Sequence, residues 1–572
     1  MKYPHDLYEL QHGRSMITTF GGINNTFGCG ENEFRQMENM TGDYFPVLSP
    51  RSARGEYANA EGATALIAKD ALCWVKGGSF FINSDEIPMG LSTDEKVIAK
   101  RQLVSMGAWV VIFPDKKRVN TIDHSWSSLE SKYETDEQVE FHPCTLAGQD
   151  IVYEKRATPP EDTTKAWIDT SASPVAMKVY SSATESWVAV VTPYTRIEAH
   201  GIDKSFEKFD AVNIIGVKDP QLADLNGWHP VWEKGEDYIV VVGLCPGEIL
   251  PQNGIKAERT VPDMDFVVES QNRLWGCKYG MVDGKVVNEI YASKLGDPTN
   301  WNCFMGISTD SQVISCGTDG QWTGAAVSDT PLFFKEDWLH RIYGNGQPYG
   351  VQITALPGVQ KGCHKSLALV GSTLFYKARG GVMAYDGSLP TKVSEKLGNE
   401  RYVDAVAGSV GSKYYISMKD AAEQLHLFVF DASKGLWHRE DSLEVSQFCT
   451  NDDQLYAIAG DKMITMLGGG ADKVKWYAIT GNIGAEDPDQ KYLSRITLRV
   501  RIPVGARMRI SVCYDSTDVW ESVAELTGRN MRSFALPVRC RRCDHLQLKL
   551  EGIGDVKLFA ITKTMEQGSE IS

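Results

Sequence analysis

The segment Leu367–Gly387, LALVGSTLFYKARGGVMAYDG, is the most informative part of this chain about its fold. It reads as an apolar strand, a polar turn and a second strand that carries aromatic residues, followed by a Gly-Gly turn into a third strand. The same phrase returns in Ala405–Met418 and in Phe448–Leu467. The anchor positions of these three units are 37 and then 42 residues apart, which is the spacing of four-stranded propeller blades.

Further copies of the phrase lie upstream, so the chain offers seven candidate units in all. The upstream copies are Leu66–Asn83, Leu103–Val119, Phe266–Gly280 and Val313–Val327. Short strand-and-turn segments dominate from about residue 60 onward, and amphipathic helices are scarce. We therefore predict an all-β protein built on a β-propeller of about seven blades, formed by residues 56–133 and 256–467.

Two segments break the repeat. Residues 134–255 lose the period and contain the Pro- and Thr-rich stretch Arg156–Trp167, which predicts an inserted β-rich domain. Gly468–Gly470 follows the last unit and predicts a flexible hinge. Beyond it, residues 471–572 alternate apolar and polar positions, most clearly in Arg495–Ile502, which predicts a C-terminal β-sandwich of the jelly-roll type.

The first 55 residues are rich in Gly, Asn and Pro and show little periodicity. We interpret residues 1–55 as an extended N-terminal arm. Such an arm is expected to become ordered on assembly, by wrapping a neighbouring subunit or adding a strand to its sheet.

The chain of 572 residues carries a formal net charge of -15. A protein that grips nucleic acid needs Lys and Arg to displace counterions from phosphate, so the acidic balance argues against that role. The C-terminal module is an exception: between Lys491 and Lys549 there are twelve Lys or Arg residues and five Asp or Glu residues. Three interpretations of this basic module are open, namely contact with an acidic partner protein, contact with DNA and a solvated sheet face; a protein partner is favoured over DNA, because aromatic residues that stack on bases are sparse among its arginines.

Targeting, membrane and metal signals are missing. No signal peptide is recognisable and no run approaches about 18 consecutive apolar residues, so we predict synthesis in the host cytoplasm and no membrane span. The twelve cysteines are scattered, as expected of reduced, buried side chains. Cys540 and Cys543 form the single close pair and lack the second pair of a zinc site, so we expect no metal.

Catalytic motifs are also missing. The sequence has no HExxH helix, no Walker-type phosphate loop and no GxSxG elbow. Cys363 and His364 are adjacent, and neighbours in a strand point to opposite faces, which separates a nucleophile from its base. We expect no enzyme activity, no catalytic residue and no cofactor.

Two parts of the chain resemble bacteriophage proteins. In the arm, Phe20–Asn24, Glu33–Met40 and Tyr44–Arg51 resemble the start of a family of phage virion proteins known as stabilisation or tail proteins. In the propeller, Asn272–Gly276 and Glu289–Trp301 are similar to a phrase in the propellers of the hub and nozzle proteins of short-tailed phages. The resemblance covers roughly two thirds of the chain and implies a structural protein of the phage neck or tail.

The expected assembly is a homo-oligomeric ring, with six-fold symmetry as the working expectation, in contact with other neck or tail proteins of the virion. The ring would retain packaged DNA or complete a conduit for transient passage of double-stranded DNA, and an acidic lumen would let the duplex slide without sticking. The candidate interface residues are Phe20, Asn24, Tyr44 and Arg51 in the arm and Arg499, Arg501, Arg507, Arg509, Arg541 and Arg542 in the C-terminal module.

Two other functions stay open. A receptor- or glycan-binding tail-tip protein would use the inserted domain, and its candidate sugar platforms are Trp167, Trp187, Trp228 and Trp232. A propeller glycosidase would need paired carboxylates in the central funnel. The sequence leaves open the subunit number, the position in the virion and the surface that faces DNA.

Overall fold

Seven four-stranded antiparallel sheets form the larger part of the computed structural model, which describes residues 12–282, 284–304, 306–486, 490–538 and 542–567. The first strand of each sheet contacts the first strand of the next sheet, or the segment just before it, so the sheets close into a ring. This arrangement is a seven-bladed β-propeller, as the repeat predicts. From the inside outwards, the strands are Ala63–Lys69, Ala71–Lys76, Ser79–Ile82 and Asp85–Pro88 (blade 1); Gln102–Met106, Trp109–Phe113, Lys117–Asn120 and Trp126–Ser128 (blade 2); Phe266–Ser270, Arg273–Val282, Lys285–Ala292 and Gln312–Ser315 (blade 3); Gly324–Val327, Pro331–Lys335, Trp338–Tyr343 and Gly350–Ala355 (blade 4); Ala368–Val370, Thr373–Ala378, Gly381–Tyr385 and Thr391–Lys392 (blade 5); Val403–Val410, Lys413–Lys419, Leu425–Asp431 and Leu436–Arg439 (blade 6); and Gln447–Asn451, Gln454–Ala459, Lys462–Gly469 and Arg54–Asn59 (blade 7).

One of the candidate units is wrong. Val313–Val327 spans the last strand of blade 3 and the first strand of blade 4, so it is not a unit of its own. The central hairpin of blade 4 joins Pro331–Lys335 to Trp338–Tyr343. Pro331–Lys335 is buried at every position, so its sequence lacks the alternation that would mark a half-exposed strand.

Blade 7 is completed by a strand from near the start of the chain. Arg54–Asn59 pairs with Lys462–Gly469, which joins the two ends of the propeller within one sheet. The three glycines expected to form a hinge lie where these two strands meet, and a Cβ at Gly470 would overlap the carbonyl oxygen of Arg54. They allow two strands to approach closely and are not a free hinge.

The inserted domain spans Ser131–Arg259 between blades 2 and 3, slightly beyond the expected limits of 134 and 255. The long strand Ser131–Cys144 lies at the centre of a seven-stranded sheet, paired with Gln252–Arg259 on one side and Tyr194–Glu198 on the other. The remaining strands of that sheet are Ala211–Ile215, Gly227–Pro230, Glu233–Gly235 and Tyr238–Val242, and a separate sheet contains Tyr153–Arg156, Ala166–Asp169, Ala176–Ser181 and Ser186–Ala189.

The C-terminal module is an eight-stranded sheet bent around one core. Its longest strand, Lys491–Tyr514, pairs on one side with Glu521–Leu536. On the other side, its first half pairs with Lys557–Gln567 and its second half with Leu546–Ile553. The other members are His12–Ile17, Phe34–Glu38, Lys475–Thr480 and Arg542–Cys543.

The described part of the N-terminal arm, from residue 12 on, contributes to this intrachain core, in contrast to our expectation of an extended segment that orders on assembly. Phe34–Glu38 pairs with Lys475–Thr480 of the C-terminal module and contacts Leu436–Arg439 of blade 6. Its Phe34 and Met37 side chains are completely buried. The arm therefore joins blade 6 to the C-terminal module because its apolar side chains fill the space between them.

Short elements connect the sheets. They are the two-stranded sheet of Met40–Thr41 and Ser49–Pro50, the α-helix Glu95–Ile98, and the 3-10 helices Ile202–Lys204, Pro220–Leu225, His364–Ser366 and Glu395–Leu397. None of the helices in the described ranges is long and apolar enough to cross a membrane. The cysteines of these ranges are all free, and Cys540 lies outside the described residues.

Candidate functional site

The long strand of the C-terminal module presents a row of arginines. Residues of this strand alternate between core and surface, so Ile496, Leu498 and Val500 are completely buried. Arg499 and Arg501, which lie between or beside them, are exposed. Alternation of this kind places all the arginines of the first half of the strand on one face of the sheet.

A neighbouring strand adds one more arginine to this face. Thr564 pairs with Arg14 on one neighbouring strand and with Arg495 on the other. Directly paired residues share a face of the sheet, so Arg14 and Arg495 lie on the same face. We call Arg14, Arg495, Arg499 and Arg501 the arginine face. Sequence reasoning missed both Arg495 and Arg14 as interface candidates, and only the pairing of the first strand with the last brings Arg14 here.

The arginine face has no carboxylate partner among the residues that the structure describes. Arg499 Nε lies 3.4 Å from Ser533 Oγ, and its opposite neighbour on the other side is Ala560. Arg501 is opposite Lys557, whose ammonium is paired with Asp555 at 3.4 Å. These guanidinium groups are thus free to bind an anionic group from outside the chain.

The other predicted arginines of the module differ. Arg509 lies between Glu525 and Glu551, with guanidinium-to-carboxylate distances of 3.7 Å to each. Arg507 and Arg542 are exposed at separate positions, and Arg541 lies outside the described residues. The charge of Arg509 is therefore partly neutralised within the sheet, unlike that of the arginine face.

Three of the four predicted arm residues lie inside the chain. Phe20 is 3% exposed and packs on Phe34, while Asn24 is 5% exposed and donates to Glu33 Oε2 at 2.6 Å. Arg51 belongs to a cluster of four charged residues between the arm and blade 6, which the next paragraph describes. Tyr44 is exposed, with Lys557 Nζ 3.7 Å from its ring centroid. Only Tyr44 of this group is available to a neighbouring molecule.

The seam between the arm and blade 6 is a cluster of four charges. Arg54 binds Glu440 and Asp441 at 2.6 Å each, and Arg51 reaches Asp441 at 3.2 Å. The two guanidinium groups hold the pKa of the Asp441 carboxyl below its usual range, although burial opposes them. Because the pairs are largely buried, removing one partner would leave an uncompensated charge.

Side chains make contacts between non-adjacent blades near their inner strands. The rings of Phe266 from blade 3 and His364, which precedes blade 5, are 5.4 Å apart. Lys365 Nζ donates to the carbonyl oxygen of Ser446, just before blade 7, at 3.1 Å. Burial lowers the pKa of His364 to about 4 and also lowers the pKa of Lys365. These groups differ from the paired carboxylates used in glycoside hydrolysis.

The four candidate sugar-binding tryptophans do not form one platform. Trp167 is 5% exposed and meets Trp187 edge-on at 5.6 Å in the four-stranded sheet of the inserted domain. Trp232 packs between two other aromatic rings in the seven-stranded sheet. Trp228 is 39% exposed and is the most accessible member of the group.

The phrases behind the phage resemblance have structural roles. Arg273 is 1% exposed and donates to the carbonyl oxygens of Ser293, Ser308 and Asp310 at 2.6–2.7 Å, which fixes the loop after the third strand of blade 3. Trp301, at the end of this phrase, is buried and donates to Pro298 O. Trp275 is also buried, so both tryptophans are core residues, as their size predicts.

One group of potential metal ligands occurs in the inserted domain. Ligand atoms of Glu140, His142 and Glu198 lie within 4.8 Å of one another. Arg196 Nε already binds Glu198 at 2.6 Å, and the side chains of Glu140, His142 and Glu198 are only partly buried. The cluster is therefore balanced by an internal cation and does not require a metal.

Comparison with known proteins adds no family. No family model and no curated protein matches the chain. Among solved structures, BamB from Moraxella catarrhalis is 10% identical, covering 73% of this chain and 96% of that chain, with a TM-score of 0.27. Trypanosoma rangeli sialidase is 8% identical, covering 90% and 96%, with a TM-score of 0.22. An exo-beta-1,3-galactanase from Phanerochaete chrysosporium is 8% identical, covering 52% and 94%, with a TM-score of 0.21. At such scores the fold assignment depends on the strand pairing described above.

Proposed function

We propose that the protein is a structural component of a tailed-bacteriophage particle, located at the neck or at the tail hub or nozzle, where copies of it form a ring. The observation that carries the assembly role is the arginine face, a basic surface with no carboxylate partner within the described part of a chain of net charge -15. A surface of this kind favours an acidic neighbour, which another copy of the chain or a second particle protein supplies.

The construction of the chain suits a mechanical role. The arm, blades 4 to 6 and the C-terminal module share one continuous hydrophobic core. A load applied to the C-terminal module is therefore transmitted to the propeller through packed side chains and the charged seam at Arg54. Such rigidity supports a ring whose subunits must keep fixed interfaces.

The phage assignment is supported by the sequence resemblance in the arm and in blade 3. Both regions are structural in this chain, since Phe20, Arg273 and Trp301 are all buried. We assign any passage of DNA to the lumen of the ring and not to the propeller itself, whose non-adjacent blades are linked by contacts of His364 and Lys365. The acidic net charge favours free sliding of a duplex there.

The test of assembly compares the wild type with the variant Arg495→Glu/Arg499→Glu/Arg501→Glu. We expect the wild type to form discrete rings in light scattering and negative-stain electron microscopy, and the variant to associate at least about tenfold more weakly, because charge repulsion replaces attraction at the interface. The matched control, Lys132→Glu/Lys155→Glu/Lys285→Glu, makes the same change in net charge at exposed positions elsewhere.

The outcomes separate the two parts of the proposal. A wild-type chain that stays monomeric, or a control that weakens assembly as much as the arginine variant, contradicts the ring interface. Labelling of the chain in the intact particle, followed by imaging, tests the position in the virion, and absence of label from the neck and tail contradicts it.

A second candidate function is glycan binding by the inserted domain, favoured by the exposed face of Trp228. A glycan array with the wild type and Trp228→Ala tests it, since loss of signal in the variant is expected only if this ring stacks on a sugar. The glycosidase alternative is tested by turnover assays on cell-wall and capsule polysaccharides.

A further inference from the structure

A cleft of about 710 Å³ opens between blades 5 and 6. It lies at the end of the propeller where the Arg379–Gly380 turn of blade 5 meets the linker of residues 393–402. Its walls combine basic side chains with the buried Tyr402 and Met418. We refer to it as the interblade cleft.

A buried lysine forms part of the wall of the interblade cleft. Lys377 is 2% exposed, and its ammonium donates to Gln360 Oε1 at 2.7 Å and to the carbonyl oxygen of Ala378 at 2.6 Å. Neither acceptor carries a charge. Burial and the nearby Lys392 lower the pKa of Lys377, which means that the environment opposes its positive charge. A buried ammonium of this kind gains stability from an anion.

Equivalent lysines in the neighbouring blades have an aromatic or acidic neighbour. Lys335 ends the corresponding strand of blade 4, and its ammonium lies 4.6 Å from the centroid of the Trp322 ring and 3.0 Å from Asn288 Oδ1. Lys419 of blade 6 is one-third exposed and lies 3.7 Å from Asp404. Lys377 differs from both, because it has neither an aromatic face nor a carboxylate.

The remaining charges of the cleft are mostly positive. Lys392 and Arg401 are exposed and form no ion pair within the described ranges. Arg379 forms an ion pair with Asp337 at 2.6 Å, which offsets its charge. Glu400 is the one acidic side chain among the described lining residues. The cleft therefore has two exposed cations above one buried cation.

Two glycines keep the cleft open. A Cβ at Gly380 would meet nothing within 4 Å, so any side chain there would extend into open space beside the cleft. A Cβ at Gly381 would collide with the Ser394 hydroxyl and would lie 2.9 Å from Lys392 Cε. The absence of side chains at this turn permits Lys392 to pass close to the backbone and present its ammonium.

We propose that the interblade cleft binds a small organic or inorganic anion, with a carboxylate or phosphate group held by Lys377, Lys392 and Arg401. The guanidinium of Arg401 supplies paired donors at the mouth, and Lys377 supplies a desolvated charge at the base. Tyr402 and Met418 offer an apolar wall to the remainder of a carbon-bearing ligand.

The experiment is calorimetric titration of the full-length chain with inorganic phosphate and, separately, with succinate, at constant ionic strength set with chloride. We expect saturable binding of at least one probe. Loss of a charged hydrogen bond predicts a decrease in affinity of roughly tenfold or more for Arg401→Gln and for Lys377→Met. Lys285→Gln, which changes an exposed lysine on blade 3, is the control and should bind as the wild type does.

Each outcome decides the proposal. Binding of phosphate alone identifies a phosphate-type site, and binding of succinate alone identifies a carboxylate-type site. Absence of saturable heat with both probes overturns the proposal, as does an equal affinity of the wild type and Arg401→Gln. Because Arg401 is exposed, its variant is expected to fold, and a circular dichroism melt confirms this independently of Lys377→Met. Ring assembly is not involved, so failure here leaves the proposed function untouched.

Discussion

The substitution Phe34→Ala tests whether the arm is an integral part of the fold. Phe34 is completely buried, and its ring centroid lies 6.4 Å from that of Phe20. The residue belongs to the strand that pairs with Lys475–Thr480, so its ring faces the core shared by the propeller and the C-terminal module. Its removal creates a cavity at the junction of these two parts.

The expected cost follows from the size of the cavity. Truncation of a fully buried phenylalanine typically destabilises a protein by about 3–5 kcal/mol, from lost transfer free energy and unfilled space. Phe27→Ala is the matched control, because the Phe27 side chain is fully exposed on the same arm. Its expected cost is within about 0.5 kcal/mol.

The assay is hydrogen–deuterium exchange of peptides that contain Lys475–Thr480, combined with urea unfolding. A loss of about 3 kcal/mol predicts roughly 100-fold faster exchange of these amides in Phe34→Ala, provided that they exchange through opening of this sheet. The reasoning is refuted if Phe34→Ala and Phe27→Ala exchange at the same rate, since the arm would then not be packed in solution.

Two further predictions concern the seam of blade 7 and the response to acid. Gly470→Ala should destabilise the chain by roughly 1–3 kcal/mol, because its Cβ would overlap the Arg54 carbonyl oxygen; urea unfolding checks this against Gly317→Ala, whose Cβ would meet nothing within 4 Å, and equal stability of the two variants would contradict it. Burial lowers the pKa of His438 to about 4, so the imidazole is neutral in the folded protein and takes up a proton on unfolding below the ordinary pKa of about 6.5. The contribution of His438 to the free energy of unfolding is complete above that pH and decreases as the pH falls towards 4. The decrease is about 2 kcal/mol near pH 5. Between pH 7 and pH 5, the difference in free energy of unfolding between the wild type and His438→Gln should therefore decrease by that amount, which thermal melts at each pH measure. A difference that stays constant with pH would show that His438 is not buried as described.

The repeat can be recognised in the amino-acid sequence because propeller blades are local structures. Blades 1 to 6 each form from one continuous segment, so the hairpins near Leu367–Gly387 appear directly as alternating strands and turns. The predicted position of the fourth blade, Val313–Val327, is wrong because Pro331–Lys335 is buried on both faces and shows no alternation of buried and exposed residues. A uniformly apolar strand gives no periodic signal.

The amino-acid sequence is enough to predict the propeller, the boundaries of the inserted domain to within a few residues, and the alternation that exposes Arg499 and Arg501. Tertiary structure alone decided what joins these parts. The pairing of Arg54–Asn59 with Lys462–Gly469, of Phe34–Glu38 with Lys475–Thr480, and of Arg14 with Thr564 links positions several hundred residues apart. Such pairings depend on which sheet edges and apolar surfaces remain uncovered once the local blades have formed, and one-dimensional periodicity contains no information about that choice.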